Sequence, residues 1–540
     1  MIVEGAGHAG IAPGSAASPV VSAKIAYALS GATGALYFLG FPGVDVWPFA
    51  FIAFVPLIVA LEGQKPRRAL SLGVTAGVVM NVLGLYWLYP TLRRFSELSV
   101  PVCALLTLLV CAYQGLRIGV LGWLYARARG RGWPWVPSLA LSFVASELAY
   151  PLIFPWYFGA CAHRVLPLLQ WAEVGGPIAV SLLLLAPNVA IAGAVVARLR
   201  RRPRPRRGIA LGLAIPVAAA VIGQAQAWYV DWRVSSAERV QVGLAQANLP
   251  PPALRDRVER FRRELRITHE LRRRNVDFVV WTETVVLGVP EEHAEAYLQT
   301  LFTRQLGVPT LIGAVLTRGE ARERRLLNSA LATGQDGKLT GHYEKHLLFP
   351  VGERLPLFDT FPALYASLPN AMNFAPGTSL EPVQLAGHPV TVLICYEDIF
   401  PGFVNDAVGH GRPEMLINLT NDAWFGDTSE PWMHLALAKF RAVEHRRYLL
   451  RATNSGVSAI IDPVGRIVAQ GGSFREEAVA GTAHWIKARR TPYELWGNLP
   501  WWLATIAASG MAFRRRVAAP RQGPRGTGKN GGDGGRPELT

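Results

Sequence analysis

Three residues in the second half of the chain carry side chains that together could perform acyl transfer: the carboxylate of Glu283, the amine of Lys345 and the thiol of Cys395. Cys395 ends the apolar run Leu393-Ile-Cys-Tyr-Glu397 and is the only cysteine after about residue 235, while Cys103, Cys111 and Cys161 lie in strongly apolar sequence upstream. A solitary thiol cannot form a disulfide within its own domain, so it is either a small buried hydrophobe or a chemical group. Glu283 stands just after the apolar run Val276–Trp281. A carboxylate there is usually exposed, but a shielded one can act as a general base. Lys345 is either solvated or, beside a thiol, a stabiliser of thiolate and later of an oxyanion. A thiol attacks only as thiolate, and a shielded carboxylate can take its proton. Glu, Lys and Cys thus supply base, electrostatic stabiliser and nucleophile.

Such groups must be held by rigid elements. From about Arg239 to Lys487, short β-branched runs alternate with charged amphipathic stretches. The runs at 240–246, 276–281, 309–313, 390–394 and 415–419 predict buried strands. Between the first two, Leu254, Val258, Phe261, Leu265 and Leu271 line one face of a predicted helix, with arginines on a solvated opposite face. The alternation predicts a layered α/β domain whose loops after strands build the site.

The rest of the chain is too apolar for an ordinary soluble protein. It has 540 residues, 51% hydrophobic, with 16 tryptophans, and a positive mean hydropathy. A membrane part joined to a soluble domain accounts for this. Long apolar runs near 24–41, 46–62, 69–90, 99–126, 134–154, 173–197, 208–230 and 497–513 predict about eight spans. The net charge of +17 is concentrated beside these runs, with seven arginines between Arg198 and Arg207. That is the pattern of cytoplasmic loops, and no basic face of a nucleic-acid-binding module is evident. The positive-inside rule places both termini in the cytoplasm and the α/β segment outside. The expected organisation is a flexible segment over 1–22, a membrane domain of seven helices over 23–232, the α/β domain over 235–490, a final helix over 496–515 and a disordered tail over 516–540.

In these contexts Glu283, Lys345 and Cys395 resemble the Glu-Lys-Cys triad of the nitrilase, or carbon–nitrogen hydrolase, superfamily, whose fold is an α-β-β-α sandwich. The segments YEKHLLFPVGERLPL, LICYEDIFP, NLTNDAWFGDTSEPWMH and TPYELWGNLP, in this order with the membrane frame, resemble the apolipoprotein N-acyltransferases of the bacterial envelope. The resemblance implies a multi-pass membrane enzyme of the inner membrane with a periplasmic catalytic domain. It implies transfer of an acyl chain from a phospholipid, through a thioester on Cys395, to the α-amine of a lipoprotein's N-terminal diacylglyceryl-cysteine. It makes Glu283 the base and Lys345 the oxyanion stabiliser. Glu353 then supports Lys345, while Tyr396 and Glu397 shape the site. It calls for no metal or cofactor.

Asn328, Asn421 and Asn454 are candidates for substrate binding or for turns, and Trp424 and Phe425 for acyl contacts or packing. Arg441 and Glu444, three apart, suggest a helical ion pair, and His434 a hydrogen-bonded helix residue. One departure is Arg255, near where the family commonly carries a tryptophan. The apolar stretch Leu347, Leu348, Phe349, Leu357, Phe358, Phe361, Leu364 and Tyr365 is either a packed loop or a lid that keeps water from the thioester. The competing readings are a membrane-tethered amidase or hydrolase with the same triad, and a transporter or scaffold carrying a dead domain.

Overall fold

The computed structural model describes residues 18–96, 98–249, 257–302, 306–319, 325–350, 352–354, 374–487 and 489–516. The first half is helical: α1 (Ala23–Leu39), α2 (Val55–Leu61), α3 (Pro66–Gly84), α4 (Leu88–Phe95), α5 (Val100–Gly130), α6 (Trp135–Ala149), α7 (Leu166–Leu169), α8 (Ala172–Leu199) and α9 (Arg206–Val234). A last helix, Leu499–Phe513, returns to pack on α5 and α6. Small residues let backbones touch, as in membrane helix pairs generally. A Cβ on Gly77 of α3 would lie 2.2 Å from the carbonyl oxygen of Gly115 in α5.

The apolar runs are longer than the helices they contain. Among the described residues, α5, α8 and α9 are long and apolar enough to cross a bilayer, and α3 with α4 makes a fourth if a 56° bend is allowed within one span. The stretch expected as a span over 46–62 is a 3₁₀ turn, Trp47–Phe51, followed by the seven-residue α2. Pro48 and Pro56 each sit at the first turn of their helix, where a missing N–H does no harm, but neither can continue a helix already begun. α6 and Leu499–Phe513 have 15 residues each, or about 22 Å at the helical rise, short of the ~30 Å hydrocarbon core. Helical length among the described residues thus confirms three spans, or four with the bent pair, of the about eight expected.

From Glu238 the chain forms strands β1 (Glu238–Gln246), β2 (Phe278–Val280), β3 (Val286–Pro290), β4 (Thr310–Arg318), β5 (Arg325–Thr333), β6 (Leu339–Glu344), β7 (Val383–Leu385), β8 (His388–Ile394), β9 (Met415–Thr420), β10 (Leu449–Thr453), β11 (Ala459–Ile461), β12 (Ile467–Gln470) and β13 (Glu477–Trp485). One sheet has the order β13-β1-β2-β4-β5-β6 with β3 beside β4, and the other the order β12-β11-β10-β9-β8-β7. All five runs expected as strands lie on them. Val242, Leu244, Phe278 and Leu311 of the first sheet pack against Val392, Ile394, Ile417 and Leu450 of the second. Helix Arg257–Arg273 covers the first sheet through Ile267 and Leu271. Helices Pro401–Gly411 and Glu430–His445 cover the second through Val404, Val408, Leu435 and Ala438. The layers are α-β-β-α, as expected.

The two halves share an apolar core. Tyr396, Phe425, Met433, Leu437, Phe440 and Val443 join one cluster with residues of α1 to α8. Polar ties add direction: Arg446 donates to Glu173 at 2.6 Å, and Lys439 to the His163 carbonyl at 2.7 Å.

Candidate active site

Glu283 follows β2, Lys345 follows β6 and Cys395 follows β8, so three strand ends converge on one buried centre. Glu283 and Lys345 are only 5% and 1% exposed. Gly313 of β4 makes room for the first of these loops, because a Cβ there would lie 2.1 Å from the Thr282 carbonyl oxygen and 2.8 Å from the Glu283 Cα.

Lys345 Nζ lies 3.4 Å from Glu283 Oε1 and 2.9 Å from the Glu353 carboxylate. Asn328 of β5 bridges the same two carboxylates, its Nδ2 donating at 2.8 Å to Glu283 and 2.7 Å to Glu353. The Phe349 amide donates to the second Glu353 oxygen at 2.7 Å. Burial pushes the Glu283 carboxyl above the usual range; the Lys345 charge opposes this and the Glu353 charge adds to it. Burial alone would discharge Lys345, but Glu353, Glu283 and Cys395 together hold it protonated well above the usual lysine range. Burial and the Glu283 charge raise the Cys395 thiol, while Lys345 lowers it. Burial thus favours the uncharged thiol and the protonated carboxyl, while the nearby ammonium favours the thiolate.

Cys395 has φ +52°, the left-handed region, and turns sharply from β8 into the 3₁₀ turn Cys395–Ile399. Glu397 pins this elbow to the loop after Lys345. Its Oε2 accepts from the Ile394 amide at 2.7 Å and the Tyr343 hydroxyl at 2.9 Å; its Oε1 accepts from the His346 and Leu347 amides at 2.6 and 3.1 Å. Burial pushes the Glu397 carboxyl up to about 7 against these donors.

Beneath the elbow lies a buried charge cluster. Arg451 of β10 donates to Asp398 and Asn418 at 3.1 Å each and to Asp422 at 3.0 Å. His434 Nε2 lies 2.7 Å from Asp398, and its Nδ1 lies 3.4 Å from Asp422. Burial and Arg451 oppose a charge on His434, but Asp398 and Asp422 prevail and raise it to about 10. Arg451, Asn418, Asp398 and Asp422 were not among the residues singled out from the sequence. Their one local signal is a charge inside an otherwise apolar strand, Leu449-Leu-Arg-Ala-Thr453, since an interior arginine must be paired.

The apolipoprotein N-acyltransferase N-terminal domain model matches residues 33–190, and the carbon–nitrogen hydrolase model matches residues 241–493. The apolipoprotein N-acyltransferase of Methylococcus capsulatus is 32% identical over 515 residues, covering 90% of this chain and 97% of that protein. That of Azotobacter vinelandii is 30% identical over 512 residues, covering 91% of this chain and 96% of its own. The chain belongs to the apolipoprotein N-acyltransferase family. Among solved structures, it is similar to Saccharomyces cerevisiae Nit3, of the nitrilase superfamily, with 19% identity and a TM-score of 0.36 over 46% of this chain and 90% of that one.

In this family member the remaining residues fall into place around the elbow. Tyr396 donates to the Ile153 carbonyl at 2.5 Å and sets its ring edge on Phe349 and Phe400. Phe425 packs edge-on against Trp87, with ring centroids 5.2 Å apart. Trp424 ends a 3₁₀ turn at the rim of the shared apolar cluster. Asn454 bonds both ends of its amide within the protein, to Leu249 and Asn421. Arg441 and Glu444 form the expected ion pair at 2.6 Å. An apolar cavity runs from Leu85 and Trp87, past Phe154 and Trp156, to Cys395 and Phe425. Leu347, Leu348 and Phe349 of the stretch expected as a packed loop or a lid are described, and Phe349 lines this cavity. Arg255, Leu357, Phe358, Phe361, Leu364 and Tyr365 lie outside the described residues.

Proposed function

We propose that this protein transfers a fatty acyl chain from a phospholipid to the N-terminal α-amine of a diacylglyceryl apolipoprotein, with Cys395 as the covalent carrier. The observation that supports this most is the apolar cavity that opens among helices of the membrane half and ends at Cys395. A small soluble amide needs no such passage, whereas an acyl chain gains by burial about 0.8 kcal/mol per CH₂.

In the first half-reaction Glu283 takes the thiol proton as sulfur attacks the ester carbonyl. The oxygen that becomes negative is stabilised by Lys345, whose charge Glu353 and Asn328 hold in place. The ester C–O bond breaks, Glu283 returns the proton to the departing alkoxide, and a lysophospholipid leaves. In the second half-reaction the neutral α-amine attacks the thioester, Glu283 accepts its proton, and the C–S bond breaks to give an amide and the free thiol. Glu397 keeps the elbow and the Lys345 loop in register, and Tyr396 and Phe425 border the acyl passage. The basic loops support a bacterial inner-membrane location with the catalytic domain on the periplasmic side.

Intact-mass measurement on protein incubated with phospholipid tests the proposal. The expected result is a gain of one acyl chain that Cys395→Ser abolishes and that a diacylglyceryl-cysteine peptide discharges while acquiring the chain. An adduct discharged only by water identifies the hydrolase instead, and the absence of any adduct on folded protein removes the proposal.

A further inference from the structure

We propose that Arg451 is a positioning residue for this reaction, holding the Cys395 elbow in its left-handed conformation through Asn418 and placing a second positive charge beneath the nucleophile. The inference rests on Cys395 being the acyl carrier. Arg451 is fully buried in β10, between Leu450 and Ala452 of the sandwich core. Leaving an unpaired guanidinium there would cost several kcal/mol, and its pairing points toward the nucleophile.

Nη1 donates to both Asp398 Oδ2 and Asn418 Oδ1, and Nη2 donates to Asp422 Oδ2. Asn418 lies opposite Arg451 in the β9–β10 register and opposite Leu393 in the β8–β9 register. Its Nδ2 donates to the Cys395 carbonyl at 3.0 Å. Because the guanidinium holds the oxygen end of that amide, the nitrogen end can face only the elbow. A left-handed backbone at a non-glycine residue is strained and persists only where its surroundings over-determine it. Asn418 on the Cys395 carbonyl and Glu397 on the Ile394 amide are the two clamps.

The charges around this geometry come from several elements. Arg451 and His434 face Asp398, Asp422 and Glu430, while Cys395 faces Lys345, which favours its thiolate, and Glu283 and Asp422, which oppose it. A Cys395 thiolate adds to the anionic groups that favour the Arg451 charge. The Thr420 hydroxyl faces the Cys395 sulfur and also favours that thiolate.

The test uses the full-length enzyme in detergent, following alkylation of Cys395 by iodoacetamide across pH and, separately, thioester formation from phospholipid. Arg451→Gln is expected to raise the alkylation midpoint by about one pH unit, which is about tenfold slower alkylation on the acid limb, and to slow thioester formation further. Arg451→Lys, which keeps the charge but not the fork, is expected to restore the midpoint while thioester formation stays slow. An unmoved midpoint in folded Arg451→Gln overturns the proposal. If that variant does not accumulate, Asn418→Ala decides: the expected result is thioester formation at least tenfold slower with an unmoved midpoint, and an unchanged rate overturns the lever. Alkylation needs no acyl donor and so reads the hold on Cys395 by itself, whereas acyl transfer persisting in Cys395→Ser would defeat the functional reading on which the proposal rests.

Discussion

The phenol of Tyr396, the residue next to Cys395, donates a hydrogen bond to the carbonyl of Ile153 across the boundary between the sheet sandwich and the helical half. Ile153 lies in the loop between α6 and α7, and its neighbour Phe154 approaches Phe349, the ring that meets Tyr396 edge-on. The elbow is therefore anchored to the loop that lines the apolar cavity. Tyr396→Phe keeps the ring and removes one hydrogen bond, about 0.5–1.5 kcal/mol. The rate of thioester formation is expected to fall roughly two- to tenfold with little change in thermal stability. Single-turnover mass spectrometry measures it, and an unchanged rate removes this anchor from the mechanism.

Glu353 both holds Lys345 and raises the proton affinity of Glu283. Glu353→Gln removes that negative charge, so the Glu283 carboxyl moves down and the acid limb of the pH–rate profile moves to lower pH. The rate on the plateau is expected to drop about tenfold or more, the effect of weakening a charged hydrogen bond worth about 1.5–3 kcal/mol. An acid limb that moves up, or not at all, contradicts this electrostatic arrangement.

His434 predicts a stability profile. Its folded-state value, raised to about 10 by Asp398 and Asp422, exceeds an unfolded value of about 6.5. The folded state therefore binds the extra proton, and the stabilisation is complete below pH ~6.5 and lost as pH rises toward the folded value. Thermal unfolding in detergent should show a decline from neutral pH to pH ~10 that is smaller in His434→Gln. Equal slopes in the two proteins would show that His434 does not carry the effect.

Gly313 is the gap that seats the Glu283 loop, with the Thr282 carbonyl where a Cβ would go. Gly313→Ala forces that loop away, an overpacking change costing about 1–3 kcal/mol. Acyl transfer is expected to fall far more than the melting temperature, since the base moves while both sheets stay formed. Wild-type transfer in this variant would show that the loop adjusts without displacing Glu283.

Much of this was legible in the chain. The apolar alternation marked β1, β2, β4, β8 and β9, and the residues after three strands supplied Glu283, Lys345 and Cys395. The pairing of Arg441 with Glu444 followed from helical spacing. The helix lengths did not follow, because a hydropathy run counts residues such as Pro48 and Pro56 without registering that they begin new helices. Nor did the support beneath Cys395 follow: Asp398, Asn418, Asp422 and Arg451 come from four separate segments.

By itself, then, the sequence determined the fold class, the membrane character and the candidate groups Glu283, Lys345 and Cys395. These depend on local periodicity and on residue type. The tertiary structure decided that Lys345 is shared between Glu283 and Glu353, that Glu397 ties the elbow to the Lys345 loop, and that Arg451 reaches Cys395 through Asn418. Each of these depends on which strand ends lie side by side and on the burial that turns a weak surface interaction into a directed one, and neither quantity is written in the spacing along the chain.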